Sequence, residues 1–186
     1  DRRRHSTVRT ILLRSGLFMF MITFLCASSI KTDAEKEINN QFGVGVSVQF
    51  QKISLSKELR REIFSKTKQR FYRDEVYLWK ITKGEKVKGY AILDNVKGKS
   101  LAITFLVIFD NDSNVLYSTV IKYREPYGGE IAHPNWNKQF IGYNSYSPFI
   151  VGKDIDGISG ATISVHSMTR GIHKLSYLIK VLKEEL

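Results

Sequence analysis

The chain has 186 residues, of which 42% are apolar and 12% aromatic, which suits one folded domain with an N-terminal appendage and excludes a largely disordered protein. Its single cysteine, Cys26, excludes an intramolecular disulfide and any cysteine-based zinc or iron–sulfur centre. The net charge of +11 is spread along the chain without a nucleic-acid-binding motif, so we predict no nucleic-acid partner.

The first region carries a membrane-targeting pattern. Residues 15–30 contain no charged side chain, five arginines precede them and Lys31 follows. This order holds the N-terminus in the cytoplasm and places the rest of the chain on the extracytoplasmic, periplasmic side. We predict a single retained anchor in the cell membrane, since residues 11–13 extend the stretch to about 20 residues. The alternative is a cleaved signal peptide and secretion to the periplasm.

Three regions follow from the patterns along the chain: the membrane segment (1–31), a linker with a strand and a helix (32–75), and a binding domain (76–186). Residues 32–41 are polar and suit a linker or a short helix. Alternation of apolar residues predicts a strand over 43–50. A helix is predicted from Ser54 or Ser56 to about Phe71.

Four more strands are predicted at 76–81, 89–95, 101–109 and 115–123, joined by short polar turns as in an antiparallel meander. Residues 124–148 are irregular, with a turn of helix near 136–140. The last segment has one apolar stripe at helical spacing, which predicts a helix of about five turns. The stripe consists of Val165, Met168, Ile172, Leu175, Ile179 and Leu182. The predicted class is α+β, an antiparallel β-sheet flanked by helices, with an N-terminal membrane-targeting helix.

A run of small and polar residues, Asp156 to Ser164, stands directly before the last helix. Small residues let the backbone approach a ligand closely, and the free N–H groups of a helix start favour a phosphate. The same residue types also form ordinary helix caps. From the residues alone, both a phosphate site and a plain cap stay open.

The stretch Asp156-x-x-Ser159-Gly160-Ala161-Thr162 resembles the flavinylation motif of the bacterial FMN-binding domain family. That family includes the C subunit of the sodium-pumping NADH:quinone oxidoreductase and the G subunit of the Rnf complex. In it, a periplasmic flavin transferase uses FAD and magnesium to attach FMN by a phosphoester to the final threonine. The resemblance therefore implies covalent FMN on Thr162, with Ser159, Gly160 and Ala161 as the phosphate-side loop. Asp156 becomes a recognition element for the transferase or a cap of the helix.

A second match lies upstream, where residues 124–131 and the Trp-x-x-Gln-Phe segment 136–140 resemble the same family. It differs at 126–129, which read Pro-Tyr-Gly-Gly where the large-complex subunits read Thr-Pro-Gly-Leu-Gly, so we predict a smaller stand-alone relative. The resemblance implies that Gly128, Gly129 and Glu130 border the flavin, with a plain turn as the alternative. Aromatic residues that offer themselves for stacking on the flavin ring, or for the core, are Trp136, Tyr127 and Tyr143.

The implied function is a membrane-associated flavoprotein that relays electrons between membrane redox partners, with no catalytic acid or base and no substrate of its own. The alternative is a binding or regulatory module of a membrane protein complex that is never flavinylated. Of the four histidines, His133, His166 and His173 raise the question of a metal. His166 and His173 are two helical turns apart, too far to share one ion, so we predict no metal site.

Overall fold

The structure, a computed structural model, describes residues 30–184 and forms a five-stranded antiparallel sheet with helices packed on both faces. The strands follow one another in chain order, which confirms the predicted meander and the α+β class. The strands are β1 (Ser47–Ser54), β2 (Glu75–Lys83), β3 (Lys86–Lys97), β4 (Ala102–Phe109) and β5 (Val115–Lys122). The helices are α1 (residues 30–42), α2 (Lys57–Thr67), α3 (Pro134–Asn137) and α4 (Thr162–Leu182). Two short 3-10 helices, Gly129–Ala132 and Lys138–Phe140, flank α3.

The predicted membrane segment lies outside the described residues apart from its last two positions. Within residues 30–184, no helix combines the length and the apolar character that a membrane crossing requires. The first predicted strand begins four residues later than expected. Gly43 and Gly45 adopt positive φ angles of 71° and 89° and form the turn after α1, so extended backbone starts only at Ser47.

One face of the sheet is covered by α4. All six residues of the predicted apolar stripe are buried in a single core cluster with apolar side chains of β2, β3 and β4. Gly171 allows the close approach, because a Cβ there would lie 2.6 Å from Val96 Cγ1 and 3.0 Å from Phe105 Cζ. The helix is therefore held by packing along its length, as the periodicity predicts.

The same interface contains an ion pair between Lys174 of α4 and Asp94 of β3. The ammonium and carboxylate lie 2.7 Å apart, and both side chains are buried. Lys174 also donates a hydrogen bond to the Arg70 carbonyl at 3.1 Å and lies over the Phe71 ring. This pairing joins α4, the sheet and the segment after α2 at one point.

The opposite face of the sheet is covered by α1. Ala34 and Ile38 are fully buried among side chains of β2, β3 and β4. The Trp79 indole N–H donates to the Glu35 carboxylate at 3.1 Å, which satisfies the one polar atom of that buried ring. The polar stretch that suited a linker or a short helix is thus a helix docked on the sheet.

Candidate functional site

Three loops meet at one end of the sheet and enclose a cavity of about 990 Å³. They are the turn between β3 and β4, the segment after β5, and the loop that leads into α4. A volume of this size lies at the upper end of the range of ligand pockets, about 300–1,000 Å³. The lining residues are Lys99, Ser100, Leu101, Glu125, Pro126, Tyr127, Gly128, Glu130, Ser159, Gly160, Ala161, Thr162, Ile163 and Ser164.

The start of α4 forms one wall of this cavity and carries no side-chain cap. Its N-cap residue is Ala161, whose methyl group accepts no hydrogen bond. Within residues 30–184, the backbone N–H groups of Thr162, Ile163 and Ser164 have no acceptor. The side chain of Thr162 is exposed. Three free donors and one accessible hydroxyl therefore lie together at the positive end of a 21-residue helix.

Asp156 does not cap this helix, because the N-cap position is Ala161. Of the two roles predicted for Asp156, the helix cap is therefore wrong. Its backbone is instead held from both sides. The Trp136 indole N–H donates to its carbonyl at 2.9 Å, and its own N–H donates to the Gln139 side-chain oxygen at 2.7 Å. The Trp-x-x-Gln segment thus fixes the start of the loop that leads to Thr162. Among the described residues the Asp156 carboxylate has no hydrogen bond or ion pair, and it is exposed.

Two glycines let the loops approach one another. Gly160 has a φ of +78°, a conformation that other residues rarely adopt, and it turns the chain into α4. Gly128 also has a φ of +78°, and a Cβ there would lie 2.8 Å from the Ala161 methyl group. The segment after β5 is therefore in direct contact with the motif loop. A hydrogen bond of 2.6 Å from the Tyr123 hydroxyl to the Tyr127 carbonyl holds that segment in place.

The third loop is held by Glu125. One of its carboxylate oxygens accepts hydrogen bonds from the backbone N–H groups of Ser100 at 2.6 Å and Leu101 at 2.8 Å. These backbone bonds, that from Leu101 first, lower the pKa of the Glu125 carboxyl below its ordinary value. Gly98 leaves room for this arrangement, since a Cβ there would lie 2.6 Å from the same oxygen. Glu125 thus joins the β3–β4 turn to the segment after β5.

The predicted site residues occupy three different places. Five of them line the cavity: Ser159, Gly160, Ala161, Thr162 and Glu130. Gly129 lines an adjoining open cleft, shared with Tyr127 and Gly128, and Asp156 lines neither space. Sequence reasoning missed the wall formed by residues 99–101. The sequence predicts a turn at 96–99 and a strand from 101. In a meander this turn lies at the same end of the sheet as the end of β5, which is the signal that could have found the wall.

The three candidate aromatic residues differ in whether their rings lie at the cavity or in the core. Tyr127 is 83% exposed and lies at the cavity. Trp136 is buried and packs edge-on against Phe140, so it belongs to the core. Tyr143 also packs against Phe140, and its hydroxyl donates to the Asp154 carbonyl. Only Tyr127 of the three has its ring available to a ligand in the cavity.

The histidines within residues 30–184 form no shared site. His133 accepts a hydrogen bond from the Asn135 N–H at the start of α3, and the half-buried His173 ring stacks on Phe149 at 4.4 Å. Burial lowers the pKa of His173, which favours its neutral form. Within residues 30–184, no group of three or more His, Cys, Asp or Glu side chains is arranged to hold a metal ion.

Comparison with known proteins bears on the same part of the chain. Residues 98–176 match the family model described as FMN-binding domain. The match covers less than half of the 186-residue chain. The matched region contains all seven predicted site residues and all fourteen residues that line the cavity, and the resemblance inferred from the sequence is confirmed.

The fold is similar to that in the crystal structure of NqrC from Shewanella oneidensis. The TM-score is 0.55, and the match covers 80% of this chain and 87% of that chain. The two sequences are 14% identical, so this likeness establishes the fold alone. No curated protein sequence matches the chain.

Proposed function

We propose that Thr162 carries FMN as a phosphoester and that the protein is a membrane-attached, extracytoplasmic electron carrier. The observation that supports this most strongly is the geometry at the start of α4. An exposed hydroxyl, three N–H groups without acceptors and a large cavity occur together in the part of the chain that matches the FMN-binding domain family.

The residues of the cavity suit each part of FMN. The free N–H groups of Thr162, Ile163 and Ser164 offer donors to phosphate oxygens, and the absence of a cap leaves those donors available. Leu101, Pro126, Tyr127 and Ile163 supply apolar wall, which suits the flat face of a flavin ring. The same space thus offers both hydrogen-bond donors for a phosphate and apolar wall for an aromatic ring.

The attachment step requires an accessible hydroxyl and an outside catalyst. The Thr162 oxygen forms a bond to the phosphorus atom of the FMN half of FAD, the pyrophosphate P–O bond breaks, and AMP leaves with the electron pair. The hydroxyl proton passes to a base of the transferase, which also supplies the magnesium ion. This chain needs only to present Thr162, which the exposed first turn of α4 does.

Bound FMN supplies one- or two-electron redox chemistry that side chains lack. The chain's own part is to hold and orient the group. Gly128 packs the segment after β5 against Ala161, and Glu125 fastens the β3–β4 turn, so that the three walls keep their spacing. Tethering also prevents loss of the flavin by diffusion outside the cytoplasm.

The test is co-expression with a flavin transferase, followed by denaturing gel electrophoresis and in-gel fluorescence. We expect the wild-type band to fluoresce and Thr162→Ala to be dark. Ser167→Ala is the matched control, because it removes a half-exposed hydroxyl of the same helix that lies outside the motif and the cavity lining, and it is expected to keep the fluorescence. A dark wild-type band would favour the non-flavinylated binding or regulatory module. Equal fluorescence in Thr162→Ala would move the attachment to another residue.

Membrane attachment is tested separately by extraction of isolated membranes with alkaline carbonate. A retained anchor keeps the chain in the pellet, whereas a protein released by signal cleavage appears in the supernatant. External protease added to spheroplasts is expected to degrade the domain, since we place it outside the cytoplasm. Survival of the domain under those conditions would contradict the proposed location.

A further inference from the structure

The flavin cavity and the first described residue of the chain lie at the same end of the sheet. This end, here called the cavity end, is formed where β1 and β5 finish and β2 starts, and by the β3–β4 turn. Ile30, at the start of α1, lines a cleft there with Tyr77, Asn95 and Arg124. Arg124 is adjacent to Glu125, which lines the flavin cavity.

The direction of α1 fixes this arrangement. The helix starts at the cavity end and runs along the sheet to Phe42, whose ring lies near Gly89 and Phe109 at the opposite end. Its docking on the sheet through Ala34 and Ile38 holds that direction. Residue 30 also ends the uncharged stretch 15–30, so an anchor in that stretch brings the cavity end, and no other, next to the lipid surface.

The cavity end is more basic than the opposite end, as contact with an anionic lipid surface requires. Within three positions of its strand ends, the cavity end has seven basic residues that are exposed or half-exposed, against three acidic ones. By the same measure the opposite end has four basic and three acidic residues. The basic residues of the cavity end are Lys52, Lys57, Arg73, Lys97, Lys99, Lys122 and Arg124.

Two of the three acidic residues within three positions of the strand ends are already engaged, and the exposed Glu130 of the cavity lining lies outside that range. Glu75 lies 3.6 Å from the Lys52 ammonium, and Glu125 accepts two backbone hydrogen bonds. Tyr72 and Tyr127 add two exposed aromatic side chains, 55% and 83% exposed. Basic residues with exposed tyrosines are the combination that favours the headgroup region of an anionic bilayer.

We infer that the cavity end of the sheet rests on anionic phospholipid headgroups, so that the flavin cavity opens toward the membrane surface. This rests on the membrane attachment in the proposed function and does not require that the chain is flavinylated. Lys97 and Lys122, at the ends of β3 and β5, are exposed and lie in this contact.

The experiment compares two labels at the two ends of β1. Ser54→Cys at the cavity end and Ser47→Cys at the opposite end are both exposed, and seven residues of strand separate them by about 23 Å. Each is made in the full chain with Cys26→Ser, labelled with a fluorophore, and reconstituted into nanodiscs. The nanodiscs contain a lipid with a nitroxide on its headgroup, in phosphatidylcholine alone or mixed with phosphatidylglycerol.

We expect stronger quenching of the label at position 54 than at 47, with a gap that widens when phosphatidylglycerol is present. Charge reversal by Lys97→Glu with Lys122→Glu is expected to abolish that widening. The matched control, Lys83→Glu with Lys86→Glu, reverses two exposed lysines at the opposite end and is expected to leave it unchanged.

Equal quenching of the two labels, or stronger quenching at position 47, would overturn the inferred orientation. If the difference in quenching between the two labels changes neither with phosphatidylglycerol nor with charge reversal, the headgroup contact is overturned. Because the labels are on the protein, Thr162→Ala is expected to give the same quenching pattern. Failure of flavinylation and failure of this inference are therefore distinguishable, and carbonate extraction reports on the anchor independently of both.

Discussion

In its first turn, α4 exposes Thr162 and Ile163 and leaves three N–H groups without acceptors, whereas from Val165 onward the same helix buries an apolar stripe against the sheet. A missing N-cap costs about 1 kcal/mol. Each fully buried apolar side chain of the stripe contributes about 1.5–3 kcal/mol. Packing along the later turns therefore outweighs the uncapped start, and the first turn stays free to bind a phosphate.

The packed part of the helix contains its most sensitive point in the Lys174–Asp94 pair. Lys174→Met is expected to lower the free energy of unfolding by about 3–5 kcal/mol, because it leaves the Asp94 carboxylate buried without its partner. Urea unfolding of the purified protein measures this. The double variant Asp94→Leu with Lys174→Met is expected to recover most of the loss. A cost below about 1 kcal/mol for Lys174→Met alone would show that the pair is not desolvated as the structure has it.

Truncation of a stripe residue is expected to lower the free energy of unfolding more than truncation of a residue in the first turn of α4. Met168→Ala is expected to cost about 2–5 kcal/mol in unfolding free energy, since the side chain is fully buried. Ile163→Ala, in the first turn and 52% exposed, is expected to stay within about 0.5 kcal/mol of wild type. Thermal or urea unfolding distinguishes them, and similar costs at both positions would contradict the division of the helix.

The contact between Gly128 and Ala161 is tested by adding one methyl group. Gly128→Ala and Gly142→Ala both place a Cβ at a positive φ, of 78° and 82°, so each carries backbone strain of about 1–3 kcal/mol. Only at Gly128 does the new Cβ also meet a neighbour, the Ala161 methyl group. We expect flavin incorporation per folded protein to fall in Gly128→Ala and to stay normal in Gly142→Ala. An equal fall in both would assign the effect to strain alone.

The smallest expected effect concerns Glu125 and is visible in its pH dependence. Its pKa is lowered in the folded state from 4.5, so its contribution to stability is present above that value and is lost as the pH falls through the folded-state pKa. Wild type is therefore expected to be more stable than Glu125→Gln at neutral pH, with a difference that narrows on acidification below 4.5. Unfolding free energies measured across this range provide the test. A difference that grows on acidification would contradict the hydrogen-bond assignment.

Much of the fold could be predicted because its periodicities are strong. The stripe of α4 has helical spacing from Val165 to Leu182, and polar turns separate apolar strand segments, of which β4 is buried along nearly its whole length. The sequence of α1 suits a linker as well as a short helix, because only Ala34 and Ile38 of its central turns are fully buried, too few to give a pattern. Its docking depends on side chains of distant strands, such as Trp79, which local sequence does not reveal.

The candidate site was predictable only where it has a motif. Thr162 and the loop before it were found through their small residues and their resemblance to a family. The wall at residues 99–101 has no such signature, since its place at the cavity comes from Glu125, 24 and 25 positions further along the chain. Trp136 suited either flavin stacking or the core by residue type, and its hydrogen bond to the Asp156 carbonyl places it in the core.

The most direct test of covalent attachment is peptide mass spectrometry of the full chain purified from membranes that contain the transferase. Trypsin cuts after Lys153 and Arg170 and releases the motif as the peptide 154–170. We predict that this peptide carries one FMN as a phosphoester, with fragmentation placing it on Thr162. An unmodified peptide, or FMN on Ser159 or any other residue, would contradict the account.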